Sequence, residues 1–199
     1  MARPRQMSDE EILDIARDCF FEHGAQVSTA HIAGEVGLSQ AALFKRFQTK
    51  ENLLIQALMP PTEIDWMERV ERGPTDEAVE EQLFRIGCEA IDFMRELMPR
   101  IMVLKAASIA PAVLMAKMPE PPPRRAIRLL TSFFGELKGA GRVVGHSPAV
   151  MAAQFMGAIH GRVFFQHMFN ADVGPESDAE FVDQAIAHLW GGLAPAEES

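Results

Sequence analysis

The stretch from Ser28 to Lys50 constrains the fold more than any other part of this sequence. It holds two short helical patterns, at 29–36 and 40–47, separated by Gly37-Leu38-Ser39. In each pattern the apolar residues fall on one face of a helix. The glycine suits the position just after a helix end, where φ is often positive, and the serine suits the cap of the next helix. The stretch therefore predicts two short helices that share a core and are joined by a tight turn.

The outward face of the second helix carries residue types that suit DNA. Gln and Arg form paired hydrogen bonds with base edges in the major groove, and small residues permit close approach. This combination favours a helix-turn-helix whose second helix reads DNA. The alternative is a helical hairpin whose cations contact only water. The outward residues are Gln40, Ala41, Ala42, Lys45 and Arg46.

The same stretch resembles the TetR family of bacterial transcriptional regulators, over about residues 8 to 58. Phe44 stands where the family usually has Tyr, so a hydroxyl that family members direct at a DNA phosphate is absent. Val36 replaces the usual Ala, and Ala30 occupies a position that can carry a base-reading cation. Base reading is therefore left mainly to the second helix. The positions that match the family pattern are Ser28, Ile32-Ala33, Gly37-Leu38-Ser39, Leu43, Phe47, Lys50 and Leu53.

We predict that residues 1–50 form the DNA-binding domain. Base readers lie on the second helix, while residues at the start of each neighbouring helix fix the register on the DNA backbone. Arg3 and Arg5 precede the first helix in a polar arm, which either enters a minor groove or is an incidental tail. The predicted DNA contacts are Ser28, Thr29, Gln40, Ala41, Ala42, Phe44, Lys45, Arg46 and Lys50.

Charge is unevenly distributed along the chain. The formal net charge is −9 at pH 7 over 199 residues, which argues against a protein that coats nucleic acid with its whole surface. Between Ser39 and Lys50 there are three cations and no acid, whereas the run from Glu63 to Glu96 is rich in Asp and Glu. A local basic face on an acidic body favours a single docking orientation on DNA.

The remaining sequence has helical periodicity and no convincing strand pattern, which predicts an all-α chain. Pro60-Pro61 predicts that a fourth helix stops near Leu58, because proline lacks the amide donor and clashes with the preceding turn. A long helix is expected at 76–98, and a further one at 101–118 with a bend at Pro111. Residues 51–199 are expected to form a helical effector-binding and dimerisation domain, as the resemblance implies.

The C-terminal part is rich in side chains that adapt to varied apolar shapes. The chain has 12 Met, 13 Phe and no Tyr. Plain core packing explains any single one of these residues best. The family resemblance implies that some line a pocket for a small apolar effector. The candidates are Trp66, Met67, Phe84, Cys88, Ile91, Met102, Met115, Phe133 and Phe134.

The last two helical patterns have more apolar surface than one subunit can cover. The pattern at 148–169 contains no acid and is apolar almost all round, and that at 180–190 carries paired apolar residues. Pairing two copies would give a two-fold homodimer with a four-helix interface. The predicted interface residues are Met151, Phe155, Ile159, Arg162, Val182, Ile186 and Leu189.

No catalytic or metal-binding pattern accompanies these features. His160 and His167 share a helical face, but no nearby Cys, Asp or Glu completes a ligand set. Cys19 and Cys88 suit core positions in a reducing compartment, and neither a secretory signal nor a convincing membrane span is present. We therefore expect a cytoplasmic protein that is not an enzyme and needs no cofactor or metal.

The function predicted is that of a DNA-binding transcriptional regulator. Its simplest form is a repressor released from a near-palindromic operator by a small apolar effector, and activation is the open alternative. The alternative from another functional class is a helical carrier or small enzyme that acts on apolar molecules, because such a protein would also be rich in Met and Phe.

Overall fold

The computed structural model describes residues 7–60, 64–115, 118–145, 147–172 and 174–193. Within these ranges the regular secondary structure is helical and contains no strand, which confirms the predicted all-α class. The helices are α1 Asp9–His23, α2 Thr29–Val36, α3 Gln40–Phe47, α4 Lys50–Leu58, α5 Asp65–Glu71, α6 Val79–Ala106, α7 Pro111–Met115, α8 Pro122–Gly139, α9 Pro148–Phe169 and α10 Asp178–Trp190.

The chain forms two compact units. The first comprises Met1–Pro60 and Pro99–Leu114, and the second comprises Pro61–Met98 and Met115–Ser199. Contacts thus join α4 to the first unit, because α4 packs against α1 and α3. The boundary that the sequence predicts at residue 50 separates two functions, DNA binding and effector binding, and it stays a prediction.

The first unit is built around one apolar face from each of its helices. A capping box starts α1: the Ser8 hydroxyl accepts from the Glu11 amide at 3.1 Å, and the Glu11 carboxylate accepts from the Ser8 amide at 2.8 Å. Leu104 and Leu114 from α6 and α7 join this core, which the sequence patterns did not indicate. The buried side chains contributed by α1 to α4 include Ile12, Ala16, Phe20, Ile32, Val36, Leu43, Phe47, Leu53 and Leu58.

Two of the predicted helix boundaries are wrong and one is confirmed. The helix expected at 76–98 instead runs from Val79 to Ala106 with Pro99 inside it. Pro111 does not bend a helix but starts α7, a position where its missing amide needs no partner. Ser108 ends the preceding turn with φ 62°. The fourth helix ends at Leu58 as predicted, while Pro61 lies outside the described residues.

The core of the second unit lies among α5, α6, α8, α9 and α10. α8 packs against both α5 and α9, and α10 packs against α9. Gly87 allows α6 to approach α10 closely, because a Cβ at this position would lie 2.7 Å from Cγ1 of Val182. Fully or nearly fully buried side chains include Leu83, Ile86, Ile91, Leu130, Phe133, Phe134, Leu137, Phe155, Ile159, Val163 and Val182.

A single carboxylate joins three helices of this unit. Arg162 of α9 is 1% exposed, and its Nε donates to Oδ1 of Asp178 at 2.6 Å. Arg95 of α6 donates to both oxygens of the same carboxylate, at 2.6 and 2.8 Å. The Arg162 guanidinium also lies 4.8 Å from the centre of the Phe181 ring. Asp178, the first residue of α10, thereby compensates a buried positive charge.

The hydrogen bonds from Arg95, and then those from Arg162, hold the pKa of Asp178 below its ordinary value of 3.8. A carboxylate with a lowered pKa in the folded state stabilises the protein above its unfolded pKa. That contribution is lost as the pH falls from about 3.8 through the lower folded pKa.

Asp178→Asn is expected to lower the free energy of unfolding at neutral pH by about 3 kcal/mol, because it leaves the buried Arg162 charge uncompensated. The difference from wild type should shrink as the pH falls below 3.8. Urea unfolding at several pH values measures both effects. Asp183→Asn, at an exposed position of the same helix, is the matched control and should change stability by no more than about 0.5 kcal/mol. Equal stability of the two variants would contradict a role for Asp178 as the link between these helices.

Candidate nucleic-acid interface

Two serine caps define the starts of α2 and α3. The Ser28 hydroxyl accepts from the His31 amide at 3.1 Å, and the Ser39 hydroxyl accepts from the Ala42 amide at 3.1 Å. Each cap satisfies an amide that has no partner inside the helix. Ser28, rather than Thr29, therefore caps α2. Its side chain lies at the end of α2 where the sequence predicts a phosphate contact.

The turn between α2 and α3 depends on Gly37. Its φ of 73° and ψ of 26° lie in the left-handed region, which costs a residue with a Cβ about 1 kcal/mol or more. The Leu38 amide donates to the Ala33 carbonyl at 2.9 Å and closes the end of α2. The turn confirms the helix-turn-helix geometry, because both helices bury their apolar faces in the first core.

The outward face of α3 is accessible along most of its length. Gln40, Ala41 and Lys45 are exposed, and Ala42 is partly so. Phe44 is 38% exposed. This face therefore combines one amide, two small residues and one cation with an aromatic edge. It differs from the predicted face, because Arg46, which the sequence pattern also placed outward, is only partly exposed.

Gln40 is oriented by a contact with α2. Its Nε2 donates to the Thr29 hydroxyl at 2.5 Å. The amide keeps a second N–H and its Oε1, because a Gln side chain offers two donor hydrogens and one acceptor oxygen. Those two groups are the pair that contacts an adenine edge.

Arg46 is tied to the start of α1, a contact that the sequence did not indicate. Its Nη1 donates to the Met7 carbonyl at 2.7 Å and to Oδ1 of Asp9 at 3.1 Å. The Asp9 side chain is 68% exposed, so this ion pair contributes no more than about 1 kcal/mol. Arg46 thus links α3 to α1 and is less available for DNA than Lys45.

Lys50 is held beside the end of α3 by a tight connection. The Gln48 amide donates to the Phe44 carbonyl at 2.8 Å, and the Thr49 hydroxyl caps α4 by accepting from the Asn52 amide at 3.0 Å. Lys50 is the first residue of α4, so its charge adds to the positive end of the helix dipole. Thr49 is a positioning residue that our sequence reasoning missed, although a threonine before a helical pattern signals a cap. Arg3 and Arg5 lie outside the described residues.

The candidate effector residues do not share one environment. Trp66, Met67, Ile91, Phe133 and Phe134 are buried. Phe84, Cys88 and Met115 are partly buried, whereas Met102 is 39% exposed and belongs to the first unit. Trp66, Phe84 and Phe133 line three different cavities.

Neither cysteine is suited to nucleophilic chemistry. Burial, and then the nearby carboxylates Glu35 and Asp92, raises the pKa of the Cys19 and Cys88 thiols respectively. A raised pKa keeps a thiol protonated and unreactive at neutral pH. Both positions are therefore consistent with packing.

The predicted interface residues of α9 and α10 are mostly buried within their own unit. Met151, Phe155, Ile159, Arg162, Val182 and Ile186 are each no more than 4% exposed, and Leu189 is partly exposed. Five of the seven line one groove of about 450 Å³, and Arg162 is committed to Asp178. The residues that line the groove are Phe155, Ile159, Val182, Ile186 and Leu189, together with Gln154, Ala158, Ala185, His188, Gly192 and Leu193.

In the part of the chain that the structure describes, no three His, Cys, Asp or Glu side chains are placed to hold a metal ion. The His167 ring contacts the Val163 carbonyl at 3.0 Å, and burial lowers the pKa of His160. Nor do the described helices include one that is long and apolar enough to cross a membrane.

Comparisons with known proteins match both units. The family model for bacterial regulatory proteins of the tetR family matches residues 12–57. The model for the C-terminal domain of AefR-like transcriptional repressors matches residues 81–189. A search of curated proteins found no match.

Solved structures show the same fold. A TetR-family transcriptional regulator from Mesorhizobium loti has a TM-score of 0.72 at 19% identity, with 94% of this chain and 96% of that chain covered. SmeT, the repressor of the Stenotrophomonas maltophilia multidrug efflux pump SmeDEF, has a TM-score of 0.65 at 18% identity, covering 96% and 93%. The SmeT complex with triclosan has a TM-score of 0.60 at 19% identity, covering 96% and 94%.

The two family models agree with the geometry. The first covers the capped helix-turn-helix, and the second spans more than half of the 199 residues. The chain therefore belongs to the TetR family of bacterial transcriptional regulators.

Proposed function

We propose that this regulator binds a near-palindromic operator as a homodimer, with α3 in the major groove, and represses transcription in the cytoplasm until a small apolar effector releases it. The observation that carries the proposal is the outward face of α3 on a helix-turn-helix whose ends are capped and whose turn is held by Gly37. A rigid support of this kind is what sequence-specific readout requires.

Within this proposal the contacts divide into two classes. Gln40 and Lys45 contact base edges, because both are exposed on α3 and Gln40 keeps an N–H and an oxygen for a base. Lys50 contacts a phosphate at the start of α4, together with Ser28 and Thr29 at the start of α2. Arg46 either leaves Asp9 and contacts a DNA phosphate, or keeps this ion pair and holds α3 against α1.

Gln40→Ala is expected to lower operator affinity by about 1–3 kcal/mol and to relax sequence preference at one base position. Fluorescence anisotropy with the DNA upstream of its own gene, and with single-base variants of that DNA, measures both effects. Gln56→Ala, an exposed glutamine on α4, is the matched control and should bind like wild type. An unchanged base preference in the Gln40 variant would remove this residue from the readout.

Lys50→Ala should weaken binding to every DNA sequence by a similar factor, because a phosphate contact carries no base information. The slope of log affinity against log salt should fall in magnitude by about one. Titrations at several salt concentrations test this, with Lys105→Ala as the control for loss of a lysine in the first unit. A change in base preference on Lys50→Ala would show that the contact is not to a phosphate.

The proposed homodimer uses the groove between α9 and α10. Of the residues that line this groove, Ala158, Ala185 and Leu189 are partly exposed and offer apolar surface to the same groove of a second copy. A two-fold interface requires such self-complementarity. The dimer would present two copies of α3 to half-sites about 34 Å apart, or at a multiple of that spacing.

Ala185→Arg is expected to convert the dimer to a monomer, because it puts a charge into the apolar groove. Sedimentation at micromolar concentration measures the change. Gln184→Arg adds the same side chain at the neighbouring exposed position, which does not line the groove, and should remain dimeric. A monomeric wild-type protein, or equal behaviour of the two variants, would contradict the proposed interface.

Effector binding is proposed for the second unit. Residues 81–189, most of which belong to this unit, match the C-terminal domain of AefR-like repressors. SmeT, which has the same fold at 19% identity, forms a complex with triclosan. The carrier or enzyme alternative gains no support from the protonated thiols of Cys19 and Cys88. A gel-shift assay distinguishes the two functions. Sequence-dependent retardation of DNA would favour the regulator, and the absence of retardation across a promoter library would favour the carrier.

A further inference from the structure

Gln48, which follows the last residue of α3, has an unusual backbone conformation. Its φ is 65° and its ψ is −56°, and the Thr49 amide donates to the Phe47 carbonyl at 2.7 Å across it. These angles and this hydrogen bond correspond to the γ-turn of positive φ, which is rare and strained. Glycine adopts a positive φ readily because it has no Cβ. Glutamine is therefore an unfavourable residue for the backbone of this turn.

Two other described residues besides glycine have a positive φ, and their settings differ from that of Gln48. Asn170 has a φ of 48° and a ψ of 40° at the end of α9, a left-handed cap in which asparagine is common. Ser108 has a φ of 62° in the turn between α6 and α7. Among these three residues, Gln48 alone adjoins the helix that carries the proposed DNA contacts.

The described part of the chain makes no polar use of the Gln48 side chain. The residue is exposed, and its side-chain amide forms no hydrogen bond with any residue that the structure describes. An exposed side chain without partners does not offset the strain of the turn. Strained backbone of this kind is concentrated at binding sites, where it places a group for a ligand. The conformation therefore points to a contact of Gln48 outside this molecule.

Gln48 stands at the C-terminal end of the outward face of α3. Its backbone amide donates to the Phe44 carbonyl at 2.8 Å, so it follows Phe44 by about one helical turn. Both residues are exposed, and the Phe44 side chain has no hydrogen-bonding group. The N-terminal residues of a recognition helix contact base edges. We therefore expect the opposite end of α3 to meet the sugar-phosphate backbone, as the proposed role of Lys50 also requires.

The chemistry of the glutamine amide suits a phosphate. Phosphate oxygens accept hydrogen bonds, and glutamine is among the side chains that contact them. The amide offers two donor hydrogens and carries no charge. A contact of this kind fixes the register of the protein on DNA without reading sequence, and it releases no counterion because it neutralises no phosphate.

We propose that the Gln48 side chain donates a hydrogen bond to a DNA phosphate, and that the strained γ-turn holds it in place although the turn lowers stability. This inference rests on the operator binding proposed above. It adds a neutral phosphate contact to the charged one at Lys50.

Two substitutions separate the side chain from the backbone. Gln48→Met keeps the Cβ and a similar length but has no amide, whereas Gln48→Gly lacks the amide and also removes the strain. Both should weaken binding to the DNA upstream of its own gene at least about fivefold, measured by fluorescence anisotropy. In circular dichroism melting curves, Tm should rise by about 2–4 °C for Gln48→Gly and stay within about 1 °C of wild type for Gln48→Met.

Two further readouts identify the group that Gln48 contacts. Preference among single-base variants of the DNA should be that of wild type in both variants, because a phosphate carries no base information. The slope of log affinity against log salt should also stay unchanged, since no positive charge is lost. Lys50→Ala, by contrast, should lower the magnitude of that slope.

Ser108→Gly is the matched control for removal of strain. Ser108 is an exposed residue of the first unit with a φ of 62°. Glycine at this position should raise Tm in the same direction as Gln48→Gly, and the variant should bind DNA like wild type.

The outcomes separate this contact from the function on which it rests. Wild-type affinity of Gln48→Met for the DNA would overturn the contact, because only the backbone would then matter. An altered base preference would assign Gln48 to a base edge and overturn the phosphate contact, and an unchanged Tm of Gln48→Gly would overturn the strain. A wild-type protein that binds none of this DNA would overturn the proposed function and the contact together.

Discussion

Helices of eight residues are not stable in water by themselves, because forming the first turn costs more than a few hydrogen bonds return. α2 and α3 each have eight residues. They persist because Ile32, Val36, Leu43 and Phe47 are buried in a core shared with α1 and α4. The rest of the DNA-binding surface depends on this burial, since it decides which face of α3 remains outward.

Polar contacts then adjust that outward face. Thr29 holds the Gln40 amide, and Met7 and Asp9 hold the Arg46 guanidinium. Side chains that are already oriented lose less conformational entropy when they bind. The first unit therefore uses weak surface contacts to position side chains that we propose contact DNA, while its stability comes from the apolar core.

Carboxylates have two different environments in the second unit. Asp178 accepts from two arginines and compensates the buried charge of Arg162, so it stabilises the packing of three helices. Asp92 and Glu96 are exposed on α6 and form no ion pair with any residue that the structure describes. Because burial makes an unpaired charge costly, a carboxylate in the core must be paired, whereas one that water solvates can remain unpaired.

The sequence by itself determined the all-α class, the two short helices, the turn at Gly37 and the helix end at Leu58. These features are local, since periodicity, caps and proline act over a few residues. Tertiary structure alone decided that α6 continues through Pro99, that Leu104 and Leu114 join the first core, and that Arg46 contacts Met7, 39 residues away. It also paired Arg95 with Asp178 across 83 residues and buried Trp66. Such contacts join helices that are distant in sequence, and no local pattern specifies which helices will meet.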